Sequence, residues 1–232
     1  LAISYFAFSY SRSSEQNKVW AGMSKETAHQ LGTPISSLMG WLDYLKDSDN
    51  NVPEKVLTEM DHDMERLGLI TERFSKIGSE PSLSEYNLYD VLEESVTYIN
   101  SRTSDKVCIE VLDVEEFRSL NVAVNKPLFA WVVENLCKNA VDAMQGEGSI
   151  VFQLAGSSND LIQFDVKDTG KGVPNSKFKT IFKPGFTTKK RGWGLGLSLV
   201  KRIIENYHKG KIYVKSSELG KGTTFRIELK KH

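Results

Sequence analysis

SIVFQLAGSSNDLIQFDVKDTGKG, residues 149–172, contains two apolar runs, 149–155 and 161–168, separated by the turn-forming GSSND. Runs of this length, bounded by Gly, Ser, Asn and Asp, predict two strands. The second run ends on Asp168 and leads into Gly170 and Gly172, so a carboxylate is delivered beside backbone that a ligand can approach closely. Upstream, Pro127 to Met144 predicts a strong helix, Tyr89 to Asn100 another, and 107–113 a strand. Downstream, a helix from Leu197 to Tyr207 precedes two strands, KIYVKSS and TTFRIELK. Strands arranged around three helices predict a two-layer α+β sandwich. The Gly/Lys-rich loop at 170–192 is too long for a simple connection and predicts a lid or binding loop.

The first third of the chain has a different texture. Trp20, Met23, Leu31, Ile35, Leu38, Leu42 and Leu45 recur at helical spacing. DSDNNVPE reads as a turn, with Pro53 suited to a first helical position. Val56, Met60, Met64, Leu67, Ile70, Phe74 and Ile77 continue as a second helix, stopped by Gly78-Ser79-Glu80-Pro81. The expectation is an all-α helical hairpin over 18–80, followed by the α+β domain over 81–232. A lone hairpin cannot bury both apolar stripes, so it should dimerise into a four-helix bundle. The opening LAISYFAFSY is too short to span a ~30 Å hydrocarbon core. With Tyr5 and Tyr10 at an interface and Arg12 beyond it, residues 1–17 read as the exit of a membrane anchor, placing the rest at the inner face of a bacterial membrane.

Composition excludes more than it identifies. Thirty Lys+Arg balance thirty Asp+Glu, which argues against bulk electrostatic binding to nucleic acid. The hydrophobic share of 40% is too high for a disordered chain. Cys108 and Cys137 lack any CxxC partner and fit neither a disulfide framework nor a zinc site. The charge is nevertheless partitioned. Lys177, Lys179, Lys183, Lys189, Lys190 and Arg191 make the loop basic, while Glu59, Asp61, Asp63 and Glu65 make the second helix acidic.

Several residues carry chemistry. With Thr27 at 0° and about 100° per residue, His29 falls at about 200°, opposite the apolar stripe. Pro34 removes a donor and should kink or loosen the helix within a turn of that exposed imidazole. A neutral imidazole is a competent nucleophile near pH 7. ENLCKNAVDAM places Asn135, Lys138, Asn139 and Asp142 on one helical face, where an amide oxygen suits Mg²⁺. IFKPGFTTK combines aromatic anchors with Thr187, Thr188 and Lys189. GWGLGLSLVKRII opens a helix with Gly192, Gly194 and Gly196, whose backbone N–H groups suit a polyphosphate. No parallel βαβ unit surrounds these glycines, which excludes the dinucleotide fingerprint. GKGTTF turns into the last strand.

In this order the motifs closely resemble those of the sensor histidine kinases of two-component signalling, over about residues 18–230. HQLGTP resembles the phosphoacceptor box, ENLCKNA the N box, DTGKG, GWGLGL and GKGTTF the glycine boxes, and IFKPGFTTK the F box. The resemblance implies a protein-histidine kinase that uses ATP and Mg²⁺, dimerises through its hairpin and hands a phosphoryl group to a response regulator. His29 would be the phosphoacceptor, and Thr33 would orient water in dephosphorylation. Asn139 would bind Mg²⁺ with Asn135 in support; Asp168 would take the adenine amino group, with Gly170 and Gly172 letting the base lie close. Gly192, Gly194, Gly196 and Leu197 would line the phosphates, Lys138, Lys189, Lys190 or Arg191 would supply positive charge, and Thr223 or Thr224 would close the adenine side.

Two departures stand out. Gln30 replaces the acidic residue the family usually carries after the histidine, and Asp142 stands where a basic one is typical. Rival readings are a chaperone- or repair-type ATPase and a phosphatase-dominant or degenerate kinase scaffold. The ATPase needs a Glu four residues before the metal-binding Asn, but Asn135 holds that position.

Overall fold

The structure is a computed structural model describing residues 27–28, 31–45, 53–77, 81–189 and 194–231. The chain divides into two compact units, Leu1–Glu80 and Pro81–His232. The expected membrane-exit segment and the His29–Gln30 pair lie outside the described residues. Among the described residues, no helix is long and apolar enough to cross a membrane.

In the first unit, residues 31–45 (α1) and Glu54–Ile77 (α2) are helical. Pro34 lies within α1 and is buried without ending it. Ile35, Met39 and Leu42 on α1, and Leu57 and Met64 on α2, are exposed, while Val56 and Ile70 are buried.

The second unit is a two-layer α+β domain. Its elements run β1 (Ser84–Asn87), α3 (Leu88–Asn100), β2 (Val107–Val111), α4 (Glu115–Arg118), β3 (Asn121–Val124), α5 (Lys126–Ala143), β4 (Gly148–Ser157) and β5 (Leu161–Asp168). After the long loop come α6 (Gly196–Arg202), a π-helical turn (Ile203–Tyr207), β6 (Lys211–Glu218) and β7 (Gly222–Lys230). The main sheet has the order β2-β4-β5-β7-β6, with β2 parallel to β4 and the remaining pairs antiparallel. Strands β1 and β3 form a separate antiparallel pair.

Alternation along the strands separates two faces. Ile150, Phe152, Ile162, Phe164, Val166, Phe225 and Ile227 are buried against the helical layer of α3, α5 and α6. The opposite face carries Gln163, Asp165, Arg226 and Glu228. Asp165 is 0% exposed there, clamped by Arg226 Nε and Nη2 at 2.7 and 3.0 Å and by Lys215 Nζ at 2.8 Å. Burial acts to raise its carboxyl pKa, but the bonds and charges of Arg226 and Lys215 outweigh it and hold the group below the usual range.

Helix α5 is fixed by its cap. Asn125 Oδ1 accepts the Leu128 N–H, its amide nitrogen donates to Ser82 O, and Pro127 occupies the first turn, where its missing donor costs little. The Asn125 N–H donates to His208 Nε2 at 3.0 Å, so His208 carries its proton on Nδ1 and donates to Ile203 O at 2.9 Å. The backbone N–H of His208 reaches the same carbonyl, which closes the π turn.

Burial pushes the His208 pKa below 6.5, against the opposing effect of its Ile203 and Asn125 backbone partners. The unfolded chain takes up a proton below that value and the folded chain resists it, so stability is full above about pH 6.5 and falls as pH drops toward the folded pKa. Thermal unfolding followed from pH 7.5 to 5.5 should show this decline. His208→Gln should lower the midpoint at pH 7.5 and narrow the difference between the two pH values.

Candidate functional site

The side chains singled out in the second unit fall into two clusters, both built on the last turns of α5. One face of α5 is committed to the core through Leu128, Phe129, Val132, Val133, Leu136 and Cys137. Burial pushes the Cys137 thiol up to about 12, with Glu134 adding to it, so this cysteine is an inert packing group. The other face presents Asn135, Asn139 and Asp142.

In the first cluster, Lys189 Nζ donates to Asn139 Oδ1 at 3.1 Å and pairs with the Asp142 carboxylate. The ammonium marks an amide oxygen and a carboxylate that together accept a cation, which is the donor set a hard divalent ion prefers. Asn139 thus fits the Mg²⁺ expected of it. Asp142 faces Lys189 across 47 residues of sequence, so the positive charge its own position lacks is supplied by the loop. Asn135 Nδ2 donates to Trp131 O at 2.8 Å, committing one of its two N–H groups to its own helix. A Cβ at Gly196 would lie 3.0 Å from Asn135 Oδ1 and 3.4 Å from Asn139 Nδ2, so the start of α6 packs on both asparagines because residue 196 has no side chain. Gly194, at φ +65°, bonds through its carbonyl to the Gly185 N–H at 3.0 Å and tethers the loop to the helix start. Lys138 is exposed, Leu197 is half-buried in α6, and Arg191 and Gly192 lie outside the described residues. Thr33 is exposed on α1.

In the second cluster, Asp168 is 5% exposed and its Oδ1 accepts the Gly170 N–H at 2.8 Å and the Thr223 N–H at 3.3 Å. Burial holds its carboxyl above the usual carboxylate range, and these two N–H groups oppose that rise. Gly170 packs on α5: a Cβ there would lie 2.7 Å from Ala143 Cβ, and the Lys171 N–H donates to Ala143 O. Gly172, at φ +74°, lies against Glu218 O. The register pairs Asp168 with Thr223, so Thr223 shares its face, and the pleat turns Thr224 to the other side of the sheet. Sequence reading did not single out Ser217, whose hydroxyl meets Val173 N, Gly222 O and Thr223 Oγ1. Its one legible signal was a serine near a strand end, which is commonplace.

The loop between the clusters is partly anchored. It contains 3₁₀ turns at Asn175–Lys177 and Thr180–Phe182, and Ile181 and Phe182 are buried. Phe182 meets Phe225 edge-on at 6.2 Å, and Lys171 Nζ reaches Thr188 Oγ1 at 3.4 Å.

Residues 125–232 match the family described as Histidine kinase-, DNA gyrase B-, and HSP90-like ATPase. The α+β fold of the second unit is that of an ATPase-type domain. Sporulation kinase E of Bacillus subtilis (strain 168) is 27% identical over 221 residues, covering 94% of this chain and 29% of the relative. Sensor histidine kinase ZraS of Salmonella typhi is 29% identical over 206 residues, covering 87% of this chain and 44% of the relative. Among solved structures, the catalytic domain of histidine kinase ThkA superposes with a TM-score of 0.54 at 28% identity, over 64% of this chain and 95% of that one. ThkA in complex with response regulator protein TrrA gives 0.58 at 25% identity, over 98% and 66%. The chain is similar to these histidine kinases, and it spans 29% and 44% of the length of the two curated relatives named.

The glycines of the last turn separate conformational strain from steric contact. Gly220 has φ +78° with nothing within 4 Å of an added Cβ, whereas Gly222 has φ +121° and its Cβ would lie 1.9 Å from Asp168 O. Gly220→Ala should cost about 1–2 kcal/mol of stability, the left-handed strain alone, and leave nucleotide binding intact. Gly222→Ala should cost clearly more and abolish nucleotide binding, as read by chemical denaturation and calorimetric titration.

Proposed function

We propose that this chain is the phosphotransfer and catalytic portion of a sensor histidine kinase, in which ATP bound to the unit 81–232 phosphorylates His29 and the phosphoryl group then passes to an aspartate of a response regulator. The observation that carries the reading is that one helix, α5, supports both halves of a nucleotide site. Asn135 and Asn139 lie against the Gly196 helix start, and Ala143 lies against the Gly170 loop that holds Asp168. Asp168, with Oδ1 occupied by two backbone donors, presents its remaining acceptor capacity to the adenine amino group. Mg²⁺, held by Asn139, would supply charge neutralisation for the phosphate oxygens. Lys189 would exchange its contact with Asn139 for a phosphate oxygen, keeping the loop over the nucleotide.

In the transfer step, the lone pair of an imidazole nitrogen of His29 forms an N–P bond to the γ-phosphorus. The bond from phosphorus to the ADP oxygen breaks, and ADP leaves with that electron pair. Gln30 can accept a hydrogen bond from the ring but cannot take its proton. Glu26, three residues before His29, is the nearest carboxylate in sequence. In the second step a regulator carboxylate oxygen attacks the phosphorus and the N–P bond breaks; the complex of ThkA with TrrA supports such a partner. The exposed Ile35, Met39, Leu42, Leu57 and Met64 support a homodimer of helical hairpins over 18–80, and the apolar 1–10 segment supports anchoring at the inner face of a bacterial membrane. Asn135 in place of a water-activating Glu favours phosphoryl transfer over hydrolysis.

Incubation with γ-labelled ATP and Mg²⁺ should label the protein with a phosphate that is acid-labile and base-stable. His29→Gln should remove that label; its persistence would overturn the choice of nucleophile. Gln30→Glu should raise the initial rate of labelling by roughly tenfold, a modest share of what a positioned general base contributes. An unchanged rate would show that the missing carboxylate is not limiting.

A further inference from the structure

Strand β6 alternates regularly through Ile212 and Val214, which pair with Ile227 and Phe225 on the inner face. Continued alternation would point Ser217 outward with Tyr213 and Lys215. Instead the register shifts between Val214 and Ser216, leaving Lys215 unpaired in a bulge, and Ser217 lies opposite Thr223 on the inner face. The bulged Lys215 is pinned from the other side of the sheet, where its ammonium donates to the buried Asp165 at 2.8 Å.

The inward hydroxyl is fully used. Ser217 Oγ accepts the Val173 N–H at 2.8 Å and donates to Gly222 O at 2.9 Å. With its single proton committed, its 3.0 Å contact with Thr223 Oγ1 has the threonine as donor. One side chain therefore joins two pieces of backbone, the exit of the Gly170–Gly172 loop and the turn into β7, and holds the side chain of Thr223, the residue whose N–H bonds Asp168. At 3.3 Å that last bond is the longer of the two on Asp168 Oδ1, so small displacements of Thr223 would break it first.

We propose that Ser217 is a positioning residue for adenine recognition, holding Thr223 and the Val173 backbone so that Asp168 keeps one oxygen engaged by the protein and the other free for the 6-amino group of the base. The proposal rests on Asp168 being the adenine acceptor. It makes base selection depend on the β6 bulge, and through Lys215 on the ion cluster across the sheet.

The test is calorimetric titration of the full chain with ATP and with purine riboside triphosphate, which lacks the 6-amino group. The unmodified protein should bind ATP about tenfold more tightly than the analogue, the worth of one hydrogen bond to a charged acceptor. Ser217→Ala should bring that ratio to within about twofold of unity while changing affinity for the analogue little, and Ser217→Thr, which keeps a hydroxyl, should retain the ratio. Thr223→Val removes the hydroxyl that donates to Ser217 but keeps its shape and backbone N–H. It should lower the ratio likewise, and it decides the matter if Ser217→Ala does not fold. An unchanged ratio in Ser217→Ala or, failing that, in Thr223→Val would overturn the proposal, as would equal weakening of both ligands. Absence of any preference in the unmodified protein would instead sink the adenine role of Asp168, and this proposal with it.

Discussion

Asn125 is buried at the start of α5, and three of its polar groups are satisfied by different parts of the chain. Its carbonyl oxygen Oδ1 caps the helix, its amide nitrogen reaches Ser82 O, and its backbone N–H ends on His208 Nε2. A buried polar group left unpaired costs roughly 1–3 kcal/mol, so these bonds resist independent movement of the pieces they join. The consequence is rotational: with the first turn of α5 locked, the azimuth of every later residue follows from helix geometry. Asn135, Asn139 and Asp142 then face the loop rather than the core, and Ala143 arrives beside Gly170.

Two kinds of glycine complete the site. Gly194 and Gly222 combine a left-handed backbone with close approach to other main chain, whereas Gly170 and Gly196 matter because a side chain would displace Ala143 or the paired asparagines. The same sequence letter thus serves backbone conformation in one place and helix packing in another. Across the sheet, the Asp165 cluster shows the complementary principle. A fully buried carboxylate needs several donors, and collecting them from β6 and β7 constrains the register of both strands.

Much of the second unit was legible in advance because its strands alternate and its helices are amphipathic. The expected strands 149–155 and 161–168 occur as Gly148–Ser157 and Leu161–Asp168, and the expected helix Pro127–Met144 as Lys126–Ala143. The short elements were not legible: β1, β3 and α4 have four residues each, too few for any period to show, and β1 and β3 form by pairing with each other far apart in sequence. The helix expected to run from Leu197 to Tyr207 changes to a π turn at Ile203, because His208 bonds that carbonyl through both its backbone and its ring. The choice between Thr223 and Thr224 needed the β5–β7 register, since a one-residue difference exchanges the faces of a strand.

Residue type and order alone made the available chemical groups readable: His29, the asparagines of α5, the carboxylate of Asp168 and the glycines around it. Those are properties of residue type and local spacing, which a period of 3.6 or 2 makes readable. Which of them meet depends on contacts made in the folded chain. Lys189 finds Asn139 and Asp142 across about fifty residues, and Ser217 turns inward only because Lys215 bulges toward Asp165. The reason is physical: a bulge or a long-range ion pair is set by satisfying buried polar groups on several strands at once, and no local window of sequence contains all the partners.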